Sequence, residues 1–274
     1  MRRPGVDLLW NPPGATDLVL LAHGGYENSR KNPHLWRGPI LRMWPFAAAL
    51  RTAVPSAAVG LMRYRYRGWN DAGDPAADLR AVLDELPSLI ERVVLIGHSM
   101  GGRTVVAAGA HPRVAGVLGL APWLPANEPL TTLRPPVMFA HGNDDTVTSP
   151  AETRAYANRL RTAGTPVTVV LLPGETHAML HRPTDWTTLV TTFTHQALTA
   201  PGSPEPATTP WATDAPEYHA PESGTRGGDW EWPETAPQTS TAKAVLHLAR
   251  IRLGTPVRQR FRTNHPTPNN TTTP

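Results

Sequence analysis

The stretch VVLIGHSMGG, residues 93–102, determines which fold the chain is expected to adopt. The run VVLIG is short and apolar, which predicts a buried strand, and the residues from 102 to 110 predict a helix. Between them lies the pattern G-x-S-x-G, in which Gly97 and Gly101 leave room where strand and helix crowd together. This context predicts a nucleophile elbow that presents the hydroxyl of Ser99 above a sheet. The alternative is a chance glycine-rich turn.

Further apolar runs alternate with helical patterns along the first 200 residues. The predicted strands are 6–10, 17–22, 57–62, 93–97, 115–120, 137–140 and 167–172, and the predicted helices are 40–53, 75–90, 102–110, 150–163 and 184–198. Nearly continuous apolar strands separated by helices are typical of a parallel sheet that is covered on both faces. We therefore predict one α/β domain over residues 1–200, a doubly wound and mostly parallel sheet.

Composition excludes several classes of protein. The 274 residues include no cysteine, which excludes a disulfide scaffold, a cysteine-ligated metal site and a cysteine nucleophile. No apolar run approaches the ~18 residues of a membrane span, and the N-terminal residues lack the apolar region of a secretory signal. We expect a cytoplasmic protein without stable membrane insertion.

The positive charge does not indicate a nucleic-acid partner. The formal charge is +4 with a pI near 9.8, and only Lys31 and Lys243 among the 26 basic residues are lysines. Such a skew towards arginine fits a GC-rich coding sequence, and the charge is spread thinly along the chain. We therefore expect no nucleic-acid binding.

The C-terminal part has a different composition. Residues 201–242 contain eight prolines, seven acidic residues and one basic residue, and we predict a disordered linker. Residues 243–274 follow as a short basic helix and a frayed tail. This basic segment could dock weakly on an anionic surface, or it could be disordered or pack weakly on its own domain.

Chemically useful side chains follow the later strands. Asp144 and Asp145 come after 137–140, and His177 comes after 167–172. A carboxylate there can orient a histidine, which can act as the general base for Ser99. The chain order Ser, Asp, His supports His177, whereas either aspartate could instead cap the helix at 150–163.

The early strand at 17–22 leads into His23, Gly24 and Gly25. A backbone N–H of this loop, together with the N–H of Met100 after the nucleophile, predicts an oxyanion hole. The alternative is an ordinary Gly-Gly turn with His23 packed beneath it.

The edge of the site has less certain members. Candidates to line the substrate pocket are Tyr26, His98 and Trp123, although Trp123 could equally be a core residue. Arg63, Arg65 and Arg67 alternate after another strand and could bind an anionic substrate group, or they could pair with nearby aspartates to brace their loop. No metal-ligand spacing is present, and we expect no metal and no other cofactor.

Six segments carry a resemblance to a known superfamily: LLAHGG, RYRYRGWND, GHSMGG, LAPWLP, HGNDDTVTSP and PGETHAML. Together they resemble the α/β hydrolases over nearly all of residues 6–198, and in particular a small, lidless, dienelactone-hydrolase-like esterase branch. The resemblance implies an eight-stranded type of sheet and a Ser–Asp–His triad. It places the acid at Asp145, the fifth position of HG-x-x-D, and one oxyanion donor at Gly25.

The resemblance also implies a substrate class. Dienelactone hydrolases proper use a cysteine nucleophile, whereas this chain has Ser99, which favours general esterase chemistry. Only about fifteen residues separate LGLA from VMFA, which leaves little room for a cap and implies small acyl substrates. We predict a serine hydrolase that cleaves a small carboxylic ester or a related acyl bond. The alternative is a non-catalytic binding protein on the same scaffold.

Overall fold

The computed structural model describes residues 3–33, 38–134 and 136–199, together with the backbone of two short segments at 229–231 and 259–260. The strands are β1 (Gly5–Trp10), β2 (Asp17–Ala22), β3 (Ala58–Arg63), β4 (Arg92–His98), β5 (Val114–Leu120), β6 (Val137–Gly142), β7 (Thr168–Leu172), β8 (Asp229–Glu231) and β9 (Gln259–Arg260). The helices are α1 (Gly38–Leu41), α2 (Trp44–Ala53), α3 (Asp74–Asp84), α4 (Met100–Ala108), α5 (Pro150–Thr162) and α6 (Pro183–Leu198).

The strands form one sheet in the order β8-β7-β6-β5-β4-β2-β3-β1-β9. Strands β2 to β8 pair in parallel, while β1 is antiparallel to β3 and β9 is antiparallel to β1. The predicted doubly wound and mostly parallel sheet is confirmed. Since the carboxyl ends of parallel strands meet at one edge, the loops after β2, β4, β6 and β7 meet there too.

Each face of the sheet has its own apolar core. Alternate residues of the strands point to opposite faces, so Leu18 and Leu20 join the core under α3, α4 and α5, while Val19 and Leu21 join the core under α2 and α6. Residues 18–22 are completely buried. Burial on both faces explains why the strands are nearly continuous apolar runs.

Three predicted elements differ from the structure. The helix predicted at 40–53 is divided into α1 and α2, and a turn at residues 42–43 separates them. The helix predicted at 75–90 ends at Asp84, because Pro87 disfavours helical backbone at the residue before it. Residues 229–231, predicted as part of a disordered linker, form β8 against β7. A sheet edge pairs through its backbone, which an apolar pattern does not report. The rest of the predicted linker, the basic helix and the tail lie outside the described residues apart from β9.

The connection after β5 carries no cap. Residues 121–134 and 136, which the structure describes between β5 and β6, contain no helix or strand. The carboxyl edge of the sheet is therefore not covered by an inserted domain at this connection. Within the described ranges, no helix has both the length and the apolar character needed to cross a membrane.

Candidate active site

Ser99 occupies the turn between β4 and α4 with a strained backbone. Its φ of 57° and ψ of −121° lie in a region that a residue with a Cβ rarely adopts. The turn is possible because Gly97 and Gly101 lack side chains. A Cβ on Gly97 would collide with the carbonyl of Gly101, and a Cβ on Gly101 would collide with the carbonyl of Ala22. The segment therefore has the geometry of a nucleophile elbow.

Asp145 lies in the loop after β6 and its carboxylate accepts five hydrogen bonds. Oδ1 accepts the N–H groups of Val147 (2.8 Å) and Thr148 (3.0 Å). Oδ2 faces the Thr148 hydroxyl (2.9 Å), Nε2 of His141 (3.1 Å) and Nδ1 of His177 (2.8 Å). Burial alone would raise the pKa of Asp145, but these hydrogen bonds outweigh it and lower that pKa far below its usual range. The carboxylate is therefore ionised at neutral pH.

His177 follows β7 and is held from two directions. Its Nδ1–H donates to Asp145, which fixes the tautomer and leaves Nε2 as the basic nitrogen. Its backbone carbonyl accepts a hydrogen bond from Nε2 of His98 at 3.0 Å. The side chain is 15% exposed, so one edge of the ring remains accessible.

Of the two candidate aspartates, the structure brings Asp145 to His177. Asp144 is exposed, and its backbone N–H donates to the carbonyl of Glu175 at 3.0 Å. No hydrogen bond between Ser99 and His177 is seen in the part of the chain that the structure describes. Hydrogen bonds of this kind are often long without substrate and shorten in the substrate complex.

The loop after β2 passes directly beside Ser99. A Cβ built on Gly24 would lie 3.2 Å from the Cβ of Ser99, and one on Gly25 would collide with the carbonyl of Arg67 and the thioether of Met100. The N–H of Tyr26 donates to Arg67, whereas the N–H groups of Gly25 and Met100 have no partner among the described residues. Met100 is the first residue of α4, where N–H groups point out of the helix. These two N–H groups are available to bind an oxyanion.

His23 braces this loop from below. Burial lowers its pKa to about 4, so the ring is neutral at pH 7. Because a carbonyl can only accept, Nδ1–H donates to the Gly24 oxygen at 2.7 Å. The ring also contacts Tyr64 edge to face, with 4.8 Å between centroids. The interpretation of His23 as a residue packed beneath the turn agrees with this geometry.

The three candidate lining residues have different environments. Tyr26 is 50% exposed at the rim, with the guanidinium of Arg67 5.2 Å from its ring centroid. The ring of His98 is buried and its Nε2 donates to the carbonyl of His177, so its place in the substrate pocket stays a prediction. Burial is the main cause that lowers the pKa of His98 well below its ordinary value, and the neighbouring His177 and Arg42 lower it further.

Trp123 is partly buried in a stack with Trp69 and Arg103. The guanidinium of Arg103 lies 3.9 Å from the ring centroid of Trp69 and 4.6 Å from that of Trp123. It also forms an ion pair with the buried Glu128 at 2.6 Å. The backbone N–H groups of Trp123 and Arg103 both donate to the carbonyl of Ser99. The two residues of the stack therefore also support the backbone of the elbow.

The alternating arginines are engaged within the protein. Arg63 pairs with Asp7 at 2.7 Å, and Arg65 pairs with Asp78. Nε of Arg67 donates to the Ser29 hydroxyl at 2.9 Å. These contacts favour the bracing interpretation over anion binding, although the partner of Arg63 is a residue of β1 that the sequence did not indicate.

Sequence reasoning missed three polar residues of the site: His141, Thr148 and Glu175. Each is buried and contacts a catalytic candidate or its loop. A fully buried Glu175 two residues before His177 carries no distinctive local signal, because acidic residues in loops are normally exposed. Over the described ranges, no group of three or more His, Asp or Glu side chains is arranged to hold a metal ion.

A cavity of about 210 Å³ lies beside the loop that carries His177. It is lined mainly by apolar side chains, including Met179 and Trp186, with Arg42 at its wall. Met179 is two residues from His177, so the cavity adjoins the loop that carries the candidate base.

Solved structures share this fold. Esterase PE8 is 18% identical, with 72% of this chain and 100% of that chain covered at a TM-score of 0.56. XC6422 from Xanthomonas campestris, described as a serine hydrolase without a lid, is 21% identical over 73% of this chain and 90% of that one, at a TM-score of 0.54. Est1E from Butyrivibrio proteoclasticus is 16% identical over 71% and 93%, at a TM-score of 0.53. These likenesses establish the α/β-hydrolase fold that the sequence resemblance implied.

No match was found among curated protein sequences. The sequence model of the dienelactone hydrolase family matches residues 58–197, about half of the chain, which include Ser99, Asp145 and His177. The chain therefore belongs to the dienelactone hydrolase family, and it is a hydrolase of the α/β-hydrolase fold.

Proposed function

We propose that the chain is a serine hydrolase that cleaves small carboxylic esters or related acyl bonds through Ser99, Asp145 and His177. The observation that carries the proposal is the 2.8 Å hydrogen bond between Nδ1 of His177 and Asp145. This hydrogen bond leaves Nε2 of His177 able to accept a proton. The loop of His177 also lies close to Ser99, because the neighbouring residue, His98, donates to the backbone carbonyl of His177.

In the proposed reaction, Oγ of Ser99 attacks the acyl carbon while its proton moves to Nε2 of His177. The negative oxygen of the tetrahedral intermediate accepts hydrogen bonds from the N–H groups of Gly25 and Met100. The bond to the leaving alcohol breaks, and His177 returns the proton to that alcohol. Water, deprotonated by His177, then attacks the acyl-enzyme, and the released Ser99 oxygen regains the proton.

The lack of a cap after β5 supports a small substrate. A short connection without a helix leaves the carboxyl edge open at this point, so the site does not depend on a moving lid at this connection. Thioesters, amides and acyl transfer use the same residues, and the pocket decides among them.

Turnover of p-nitrophenyl acetate and butyrate tests the proposal, with fluorophosphonate labelling in parallel. We expect the wild type to turn over and to label, and Ser99→Ala and His177→Ala to lose both. Ser88→Ala and His195→Ala are matched controls, since both residues are exposed and lie outside these loops. A wild type that neither turns over nor labels would reject the proposal in favour of a binding protein. A panel of butyryl ester, thioester and anilide then defines the bond class.

A further inference from the structure

Glu175 is a fully buried carboxylate two residues before His177. Its Oε2 accepts the backbone N–H of Arg182 at 2.8 Å and the indole N–H of Trp186 at 3.0 Å. Its Oε1 accepts the N–H of Thr176 at 2.8 Å. One carboxylate therefore binds donors that lie before and after His177 in the chain.

These contacts close the loop that carries His177. The residues from 176 to 182 form turns and contain neither a strand nor a helix, so no regular hydrogen-bond ladder holds them. Met179 has a left-handed φ of 56°, which a residue with a side chain adopts only when its surroundings impose it. Besides the backbone hydrogen bond from the N–H of Met179 to the carbonyl of Thr176 at 3.1 Å, the side chain of Glu175 supplies acceptors for the N–H groups of Thr176 and Arg182.

The start of the loop is fixed to the rest of the site. The carbonyl of Glu175 accepts the N–H of Asp144 at 3.0 Å, and the N–H of Gly174 donates to Oδ1 of Asn143 at 2.8 Å. A Cβ on Gly142 would collide with the carbonyl of Glu175, so the two loops are in close contact. The backbone of Glu175 is thus attached to the loop of Asp145, while its side chain holds the far end of the loop of His177.

Burying a carboxylate has a free-energy cost, which its hydrogen bonds offset only in part. An ionised carboxylate loses its hydration on burial, and a well-packed apolar side chain would avoid that loss. The neighbouring Arg182 is also buried, and its Nε donates to Asp185 at 2.6 Å. Residues 175–186 therefore contain a buried polar network in the same stretch of chain as the candidate base.

We propose that Glu175 is a positioning residue, which holds the His177 loop so that Nε2 is within reach of Ser99. The inference rests on the proposed function, since it assigns a role within the same reaction. Glu175 does not touch the substrate; it acts through the position of His177.

The first test is Glu175→Gln, which keeps the shape but turns one acceptor oxygen into an N–H₂ donor facing other donors. We expect kcat, counted per fluorophosphonate-titrated site, to fall by about 10- to 100-fold, because a misplacement of about 1 Å has an effect of this size. KM should change by less than about threefold, since binding groups are not altered. Asp17→Asn is the matched control. It weakens the ion pair with Arg92 at the amino ends of β2 and β4, away from the candidate site, and should leave kcat unchanged.

A double-mutant cycle separates positioning from general destabilisation. The rates are measured per mole of purified folded protein at high enzyme concentration, because His177→Ala is expected to retain only a small residual rate and not to label. If Glu175 acts through His177, Glu175→Gln should reduce that residual rate by less than about twofold. An equal fold-loss in both backgrounds would overturn the inference, as would an unchanged kcat in the single variant.

Trp186→Phe is the second variant if Glu175→Gln does not fold. It removes one donor from Glu175 and keeps an aromatic ring, so a smaller fall in kcat at constant KM is expected. An unchanged kcat in this variant would contradict the proposal in that case. Turnover by the wild type separates the two levels of inference: inactive wild type rejects the proposed function, while active wild type with insensitive variants rejects only the role of Glu175.

Discussion

The two sides of Ser99 are held together by different kinds of contact. The acid–histidine side, residues 141–148 and 173–182, is fixed by buried polar side chains that bind one another and the backbone. The oxyanion side, residues 23–31 and 64–74, is fixed mainly by backbone hydrogen bonds between its two loops. The backbone N–H of Tyr26 donates to the carbonyl of Arg67 at 2.9 Å. The N–H of Trp69 donates to the carbonyl of Tyr26, and that of Asn70 to the carbonyl of Glu27, both at 2.8 Å.

This difference agrees with what the proposed reaction would require of each side. The acid–histidine side must keep a charge and a tautomer, which requires side-chain donors and acceptors in a buried site. The oxyanion side must present a backbone N–H close to Ser99, which requires the absence of a side chain at Gly25. Substitutions that change a hydrogen-bonding group should therefore lower kcat on the acid–histidine side. Substitutions that add a side chain should lower kcat on the oxyanion side.

The largest effect is expected from Asp145→Asn. The N–H₂ of the new amide would donate to Nδ1 of His177, which favours the tautomer that carries its proton on Nε2. In that tautomer Nε2 can no longer act as the base. We expect kcat to fall by roughly 10⁴-fold, the loss typical of this change in Ser–His–Asp enzymes. Asp144→Asn, one residue away on an exposed side chain, should change kcat by less than about twofold. Equal losses in the two variants, measured with p-nitrophenyl butyrate, would mean that the acid is not specifically Asp145.

The next largest effect is expected from Gly25→Ala on the oxyanion side. The new Cβ collides with the carbonyl of Arg67 and the thioether of Met100, so the backbone must shift. Loss of one oxyanion donor lowers kcat by about 10²- to 10³-fold. The control is Asn28→Ala, an exposed side chain in the same loop, which should leave kcat unchanged. If Gly25→Ala is as active as the wild type, the oxyanion hole lies elsewhere.

A smaller effect is expected from Thr148→Val, which removes a hydroxyl but keeps the shape. The hydroxyl lies 2.9 Å from Oδ2 of Asp145 and 3.2 Å from the carbonyl of Ala121. Losing a hydrogen bond worth roughly 1 kcal/mol should reduce kcat by about fivefold. Thr148→Ser keeps the hydroxyl and should restore most of the rate. A Thr148→Ser variant as slow as Thr148→Val would show that the methyl group, and not the hydroxyl, matters.

The sequence predicted the parts of the site that depend on local patterns. The strand before Ser99, the glycines of the elbow and the loop of His177 follow from short apolar runs and their endings. Residues alone could not separate Asp144 from Asp145, because both follow the same strand and a single turn decides which one points inward. The resemblance favoured Asp145, and the structure brings Asp145 to His177.

Contacts between distant residues could not be predicted from the sequence. Glu175 is buried because Arg182 and Trp186 supply donors, and Thr148 reaches the carbonyl of Ala121 across the sheet edge. The hydrogen bond of His98 could not be predicted for the same reason, since its partner is the carbonyl of a residue 79 positions later. A sequence pattern reports exposure and periodicity, whereas these roles depend on tertiary pairing.

The last prediction concerns the stability of the protein in acid and leaves activity at neutral pH unchanged. The pKa of His23, on the oxyanion side, is lowered by burial to about 4, below its unfolded value of about 6.5. The unfolded chain therefore binds more protons than the folded chain between these values, so stability is retained above pH 6.5 and lost as the pH falls towards 4. On the acid–histidine side, Asp145 stays ionised through this interval, but the buried His98 also has a lowered pKa and gives a loss of the same sign. Only a comparison with a variant of His23 therefore isolates its contribution.

The measurement is the free energy of unfolding by urea from pH 7.5 to 4.5, for the wild type and for His23→Gln. The fully buried ring gives a loss of up to about 3 kcal/mol across the interval, and the variant should show a shallower slope whatever its stability at pH 7.5. Kinetic activity at pH 7.5 is the less sensitive readout, since a neutral brace under the loop does not take part in proton transfer. Equal slopes in both proteins would mean that His23 is not the buried neutral group that the oxyanion side depends on.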